Sequence, residues 1–166
     1  MAELHASPSV VEVDGIDDLF RTGDFYVGAQ PDVDDLKWLK SQGVTLIVNL
    51  RMESENKAFA AANFDEEGAV KEQGMAYYLL PVGGQDSCCP KTVDAFAQAI
   101  KECSGNALVH CKSGGRATHL LMAYLVRHRS HTLNDAVAIG KQMMFSLMVE
   151  DFLGAPVSLT LEQAGE

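Results

Sequence analysis

No apolar run in this chain approaches the roughly 20 residues that a membrane-spanning helix needs. Basic residues are scarce: 13 Lys+Arg stand against 23 Asp+Glu, for a net charge of −10. That balance argues against nucleic acid and anionic membranes as partners. Any anionic ligand must be held by a local site against an unfavourable overall field. Cysteine is sparse too, at positions 88, 89, 103 and 111, and no two cysteines are spaced C-x-x-C. That spacing gives no suggestion of zinc, no metal or cofactor is expected, and the thiols read as reduced ones of a cytoplasmic protein. The opening "MAELHASPSVVEVDG" lacks the basic segment and apolar core of a secretion signal, although a trimmed exported chain would read the same way. Repeats and low-complexity tracts are missing as well. What is present, 47% hydrophobic and 22% charged residues in 166, suits one globular domain over 1–166. Its patterned core runs over about 22–146, and the pattern fades from 148 onward.

Strand and helix signals alternate. "DFYVGAQ" (24–30), "VTLIVNL" (44–50), "MAYYLLPV" (75–82) and "ALVHC" (107–111) read as strands. The second and fourth are nearly continuous apolar runs, the mark of strands buried on both faces. Helices are expected over 31–43, 64–74, 91–105 and 116–129, and from Asp135 through "DAVAIGKQMMFSL". Asp32 and Thr132 are candidate caps and Gly43 and Gly105 candidate stops. Residues 51–64 read as loop or irregular helix, and "GGQDSCCP" (83–90) as loop. The pattern predicts an α/β fold: a mostly parallel central sheet flanked by helices on both faces. In such sheets ligands bind beyond the carboxyl ends of the strands.

One segment sits at such an end. In "VHCKSGGRATHLL" (109–121) a buried strand delivers Cys111 to the start of a helix, and Arg116 follows after four residues. A helix N-terminus presents unpaired N–H groups and the positive end of its dipole. A thiol at such a corner loses its proton more easily, and Lys112 and Arg116 add to the effect. Gly114 and Gly115 let successive N–H groups curl inward around an anion, and Ser113 is a further donor. Arg116 offers a two-pronged clamp for oxyanion oxygens. Nucleophile, cradle and clamp thus fall within six residues.

The segment resembles the active-site loop and following helix of the cysteine-dependent protein tyrosine and dual-specificity phosphatases, whose signature is H-C-x5-R followed by Ser or Thr. "TLIVNLR" and "HRSHTLNDAVAIGKQ" resemble the flanking strand and helix of that fold, so the likeness covers roughly 22–146. Two departures stand out: the loop here is H-C-x4-R, and Ala117 replaces the hydroxyl residue. Both the shorter loop and "GAQPDVDDLKWLKSQG" are similar to the bacterial beta-lactamase-hydrolase-like group of phosphatase-like domains. The resemblance implies a phosphatase-like fold and hydrolysis of phosphomonoesters, on phosphoprotein or small molecules, through a thiophosphate on Cys111. It implies a loop-tuning role for His110. Rhodanese-type sulfurtransferases also use C-x4-R around a persulfide, so sulfur transfer stays open, as does an oxyanion-binding module without turnover.

Phosphoryl transfer also needs a proton for the leaving oxygen. Asp86 is the candidate acid, because its loop follows a strand parallel to the cysteine strand and should open on the same edge. Asp94 is the runner-up, and Glu53 and Glu55 rank below it. Arg51 and Glu53 are expected to form an ordinary surface ion pair. Cys88 and Cys89, on the loop of Asp86, are candidate resolving thiols for an oxidised Cys111. Cys103 reads as packing.

Overall fold

A computed structural model describes residues 9–162. The expectations that fall on 1–8 and 163–166 lie outside these described residues. Among the described residues six strands form one sheet in the order β1-β2-β3-β6-β4-β5. They are β1 (Val10–Glu12), β2 (Leu19–Thr22), β3 (Phe25–Gly28), β4 (Val44–Asn49), β5 (Ala76–Leu79) and β6 (Asn106–His110). The pairings β3·β6, β6·β4 and β4·β5 are parallel, whereas β1, β2 and β3 form an antiparallel meander. The sheet is thus mostly parallel, as the apolar runs predict. The antiparallel edge is an addition. Its signal was "RTGDF": Gly23 takes a positive φ of +57° in a two-residue Gly23-Asp24 turn that folds β2 onto β3.

Among the described residues seven helices accompany the sheet: α1 (Val33–Ser41), α2 (Glu53–Ala62), α3 (Glu66–Glu72), α4 (Pro90–Glu102), α5 (Gly115–His128), α6 (Leu133–Lys141) and α7 (Met148–Leu153). Alternation along the central strands sorts the core into two layers. Val27, Val48 and Val109 pack with Phe96 of α4, Leu121 of α5 and Ile139 of α6 on one face. Tyr26, Ile47 and Leu108 pack with Leu36 and Leu39 of α1 and Val70 of α3 on the other. Val44 and Leu46 are two apart yet point into opposite layers, because the β4·β6 register shifts between them. Full burial of side chains such as Phe96 or Leu121 stabilises the fold by roughly 1.5–3 kcal/mol each. None of the helices among the described residues is long and apolar enough to cross a membrane.

The caps form as read. Asp32 and Thr132 each accept from the backbone N–H of Asp35 and Asp135, whose side chains return the bond. Two expectations are corrected. Residues 53–62 are a regular helix where loop or irregular helix was expected: Glu55 reaches back to the N–H of Met52, at 2.7 Å, although Met52 has no capping hydroxyl. The last long helix stops at Lys141 instead of running on to Leu147. A further short helix, α7, occupies part of the tail.

Registers align the carboxyl ends of the parallel strands. Asn49 pairs with both His110 and Leu79, and Gly28 pairs with His110. The segments after β3, β4, β5 and β6 therefore leave from a single edge.

Candidate active site

At that edge the chain after β6 makes a tight corner. Cys111 is buried, its N–H donating to the Gly28 carbonyl at 3.3 Å. The loop is stitched to the end of β3: Gln30 N–H donates to the Lys112 carbonyl at 3.2 Å, and Ser113 forms an antiparallel bridge with Ala29. Gly114 then takes φ +97°, a conformation that L side chains rarely adopt, and it caps α5. The turn aims the Gly114 N–H at the Cys111 sulfur, 3.1 Å away. The positive end of α5 faces the same point. These are the contacts a sulfur anion takes.

Arg116 sits in the first turn of α5. Its Nη1 and Nη2 each donate to one oxygen of Glu55 at 2.8 Å, and Nη1 also donates to the Val82 carbonyl at 2.8 Å. The fork expected to await an oxyanion is thus held by a carboxylate from α2. Its charged form is favoured first by the hydrogen bonds to Glu55, against a cost from burial; the charge of the Cys111 sulfur adds to it. The same pairing holds the Glu55 carboxyl well below the ordinary range, at about 2, with Arg116 the largest cause and the Met52 N–H and Arg51 helping against burial.

Sequence reasoning ranked Glu55 low, as a spare acid. The structure commits it to Arg116. The missed signal was its place as the third residue of α2, in the segment leaving β4, which the registers carry to this edge. The Arg51–Glu53 pair is also corrected: Glu53 pairs with Lys57 at 3.1 Å, whereas Arg51 donates to Gln30 at 2.8 Å and lies 3.7 Å from Glu55. Both guanidiniums therefore border one carboxylate.

The hydroxyl missing at position 117 reappears one residue on. Thr118 is buried, but its Oγ1 donates to the Gly114 carbonyl at 2.8 Å. It braces the turn and does not serve the sulfur. Lys112 and Ser113 are exposed, and Gly115 is half-buried. His110 is fully buried behind the loop, with Nδ1 3.1 Å from the Cys111 carbonyl and Nε2 2.6 Å from Oε1 of Glu66.

Asp86 lies in a single 3₁₀ turn, Gln85–Ser87, and is exposed. Its loop springs from Val82, whose carbonyl Arg116 holds, so its root adjoins the cysteine loop. Ser87 folds the loop back on itself, accepting from Gly83 N–H and donating to Gly84 O, both at 2.9 Å. Asp94 is elsewhere: it faces solvent at the far end of α5, bonded to Arg127 and His128. The four cysteines are free thiols. Cys89 caps α4, and its thiol is drawn down by the Thr92 hydroxyl, with the Thr92 and Lys91 N–H groups helping. Among the described residues, no cluster of three or more His, Cys, Asp or Glu could hold a metal ion.

Residues 6–151 match the family model described as a DSP-PTPase phosphatase fused to NAD+ kinase. The beta-lactamase hydrolase-like protein of Xylella fastidiosa is 36% identical over 121 residues, covering 73% of this chain and 28% of that protein. Its counterpart from Agrobacterium fabrum is 33% identical over 94 residues, covering 57% of this chain and 21% of that protein. The chain thus spans less than a third of the curated relatives it matches. Among solved structures, human DUSP28 is 25% identical with a TM-score of 0.57, covering 84% of this chain and 85% of that one. A TpbA variant from P. aeruginosa in complex with pTyr is 16% identical with a TM-score of 0.57, covering 81% and 90%.

Proposed function

The chain belongs to the family of DSP-PTPase phosphatases fused to NAD+ kinase, cysteine-dependent hydrolases of phosphoric monoesters, and on that premise we propose that Cys111, Arg116 and Asp86 carry its reaction. The Cys111 thiolate attacks phosphorus in line and the bond to the leaving oxygen breaks, giving a thiophosphate. Arg116 and the inward N–H groups of the loop hold the equatorial oxygens while charge redistributes over them. Arg116 does this from a fixed position, because Glu55 and the Val82 carbonyl set its guanidinium before substrate arrives. Asp86 protonates the leaving oxygen and then takes a proton from the water that releases phosphate. Lys112 and Ser113, exposed on the loop, line the approach for substrate, with Gly114 and Gly115 supplying backbone donors.

The observation that carries this reading is the 3.1 Å contact from the Gly114 N–H to the Cys111 sulfur: the backbone donor that would steady the nucleophilic thiolate already points inward. The substrate is a phosphomonoester of protein tyrosine or of a small aryl or alkyl alcohol. The phosphotyrosine complex of the TpbA fold neighbour supports starting from aryl phosphates.

The test is phosphate release from an aryl phosphate by the purified protein and by Cys111→Ser. Release that falls by on the order of 10⁴-fold or more in the variant is expected. A parallel assay with thiosulfate and cyanide guards against the loop's shorter length. Thiocyanate production dependent on Cys111, without phosphate release, would overturn the phosphatase reading in favour of sulfur transfer.

A further inference from the structure

Behind the cysteine loop lies a buried polar cluster that the reaction above does not use. Glu66 opens α3 and is 6% exposed; His110 ends β6 and is fully buried. A carboxylate so deep in a protein is costly unless paired. Its Oε2 accepts from Asn49 Nδ2 at 2.8 Å. Its Oε1 lies 2.6 Å from His110 Nε2 but off the line of a hydrogen bond, so that among the described residues neither atom has a hydrogen-bond partner and the contact is one of charge. Two bare lone pairs at that distance would repel, so the carboxylate favours positive charge on the ring. On the other side of the ring, Nδ1 is 3.1 Å from the Cys111 carbonyl, which can only accept. Nδ1 therefore carries hydrogen as well. A charged ring against the carboxylate leaves the pair with no net charge. It is a dipole whose positive end adjoins Cys111.

We propose that Glu66 is a positioning residue for this reaction: through its buried contact with the His110 ring it keeps positive character on that ring and fixes the Nδ1–H on the Cys111 carbonyl, favouring the cysteine as thiolate. The activity arm of the test rests on the phosphatase reading; the alkylation arm does not. The other groups facing the cluster are few. Tyr77 of β5 has its hydroxyl 2.9 Å from Asn49 Nδ2 and is pushed up to about 12, by burial first and by the charge of Glu66 next. Asp65 and Glu67 flank Glu66 on its own segment and raise Tyr77 further. Arg51 donates its backbone N–H to Asn49 Oδ1 at 2.8 Å. Facing the sulfur from α5 is Arg116, already paired with Glu55. None of these supplies a second cation to the interior side of Cys111, so the His110 ring is the source there.

The experiment is the pH dependence of carboxamidomethylation at Cys111, read on its own peptide by mass spectrometry, for the wild type, Glu66→Gln, Glu66→Asp and His110→Asn. Glu66→Gln keeps the shape and the Asn49 contact and removes the carboxylate. On the rising limb its Cys111 is expected to react about tenfold more slowly, with the midpoint displaced upward; Glu66→Asp is expected to fall between it and the wild type. His110→Asn should reproduce the displacement, and adding Glu66→Gln to it should change nothing more, since the two act as one unit. The acid limb of kcat/KM on an aryl phosphate should move with the alkylation midpoint. A lower melting temperature with an unmoved midpoint means that Glu66 only packs, and overturns the proposal; so do additive displacements. Should Glu66→Gln not fold, an unmoved midpoint in both Glu66→Asp and His110→Asn overturns it equally. A wild type that alkylates as described but releases no phosphate would count against the phosphatase reading alone.

Discussion

Helix α5 carries an arginine–carboxylate fork at each end. At its start Arg116 holds Glu55 with two contacts of 2.8 Å. At its finish Arg127 holds Asp94 at 2.7 and 3.0 Å. Both carboxylates are drawn to about 2, and in both the arginine is the largest cause. By pair geometry the two ends cannot be told apart. Their surroundings separate them. The side chains of the first pair are 29% and 26% exposed, those of the second 47% and 45%. Arg116 also holds the Val82 carbonyl and feels the Cys111 sulfur, whereas Asp94 spends its remaining capacity on His128. A tight ion pair with a displaced carboxylate is therefore no sign of a reactive centre. Convergence is the sign: a nucleophile, an inward N–H and a guanidinium at one strand end.

The sharpest way to break that contrast is to make the same substitution at both ends. Arg116→Lys keeps the charge but loses the fork. It is expected to lower kcat/KM on an aryl phosphate by on the order of 10²–10³-fold, the cost of an oxyanion donor. Arg127→Lys is expected to stay within about twofold. Comparable losses at both ends would mean that the fork matters for the helix and not for the site.

Gly114→Ala comes next. A Cβ there would sit 3.0 Å from Met144 Cγ and 3.5 Å from the Gly28 carbonyl carbon. Met144 is at the exposed surface and can yield, so the backbone decides: φ is +97°, and a non-glycine residue in a left-handed conformation costs roughly 1–2 kcal/mol. The N–H that meets the sulfur would turn with it. A fall in melting temperature together with about 10²-fold lower kcat is expected. Unchanged kinetics would show that this donor does not act.

Glu55→Gln is milder, about tenfold in kcat/KM, since Arg116 keeps the Val82 carbonyl. It also carries a pH signature. A carboxyl held from 4.5 down to about 2 contributes stability that is complete above pH 4.5 and fades as pH falls toward 2. Wild type and Glu55→Gln should therefore differ most in thermal stability near neutrality and converge toward pH 2. A gap that stays constant with pH would show that the charge on Glu55 is not what holds Arg116.

How much of this was legible in the sequence depended on whether the signal was local. The strand-to-helix corner at 109–121 could be read, because a buried β-branched run, a cysteine, glycines and an arginine follow one another in the chain. The parallel layers could be read too, since Val48, Val109 and their neighbours are apolar whichever way they point. Glu55 and Glu66 could not be assigned. Each acts on a residue that is 61 or 44 positions away in sequence and comes near only through the register of β4 with β6. Helix α2 escaped because its cap is a methionine and no residue of it is fully buried, so neither the capping pattern nor the apolar stripe was there to see. The antiparallel edge was hidden by strand length: β1 and β2 have three and four residues, too short for periodicity to speak.

The smallest effect is the one that tests whether the far end of α5 is truly inert. Asp94→Asn removes the acceptor of Arg127 and His128 but nothing near Cys111. Its pair is open to water, so salt should erase what little it contributes: going from 0.1 to 1 M shortens the screening length from about 10 to about 3 Å. Any difference in melting temperature between wild type and Asp94→Asn should vanish at 1 M salt, with kcat/KM unchanged throughout. The difference made by Glu55→Gln should survive, because that pair is more enclosed and its arginine is also tied to a backbone carbonyl. A salt-resistant effect at Asp94, or a tenfold loss of turnover there, would mean that α5 transmits strain along its length from one fork to the other. The helix would then be a coupling element, and the two ends could no longer be treated as separate.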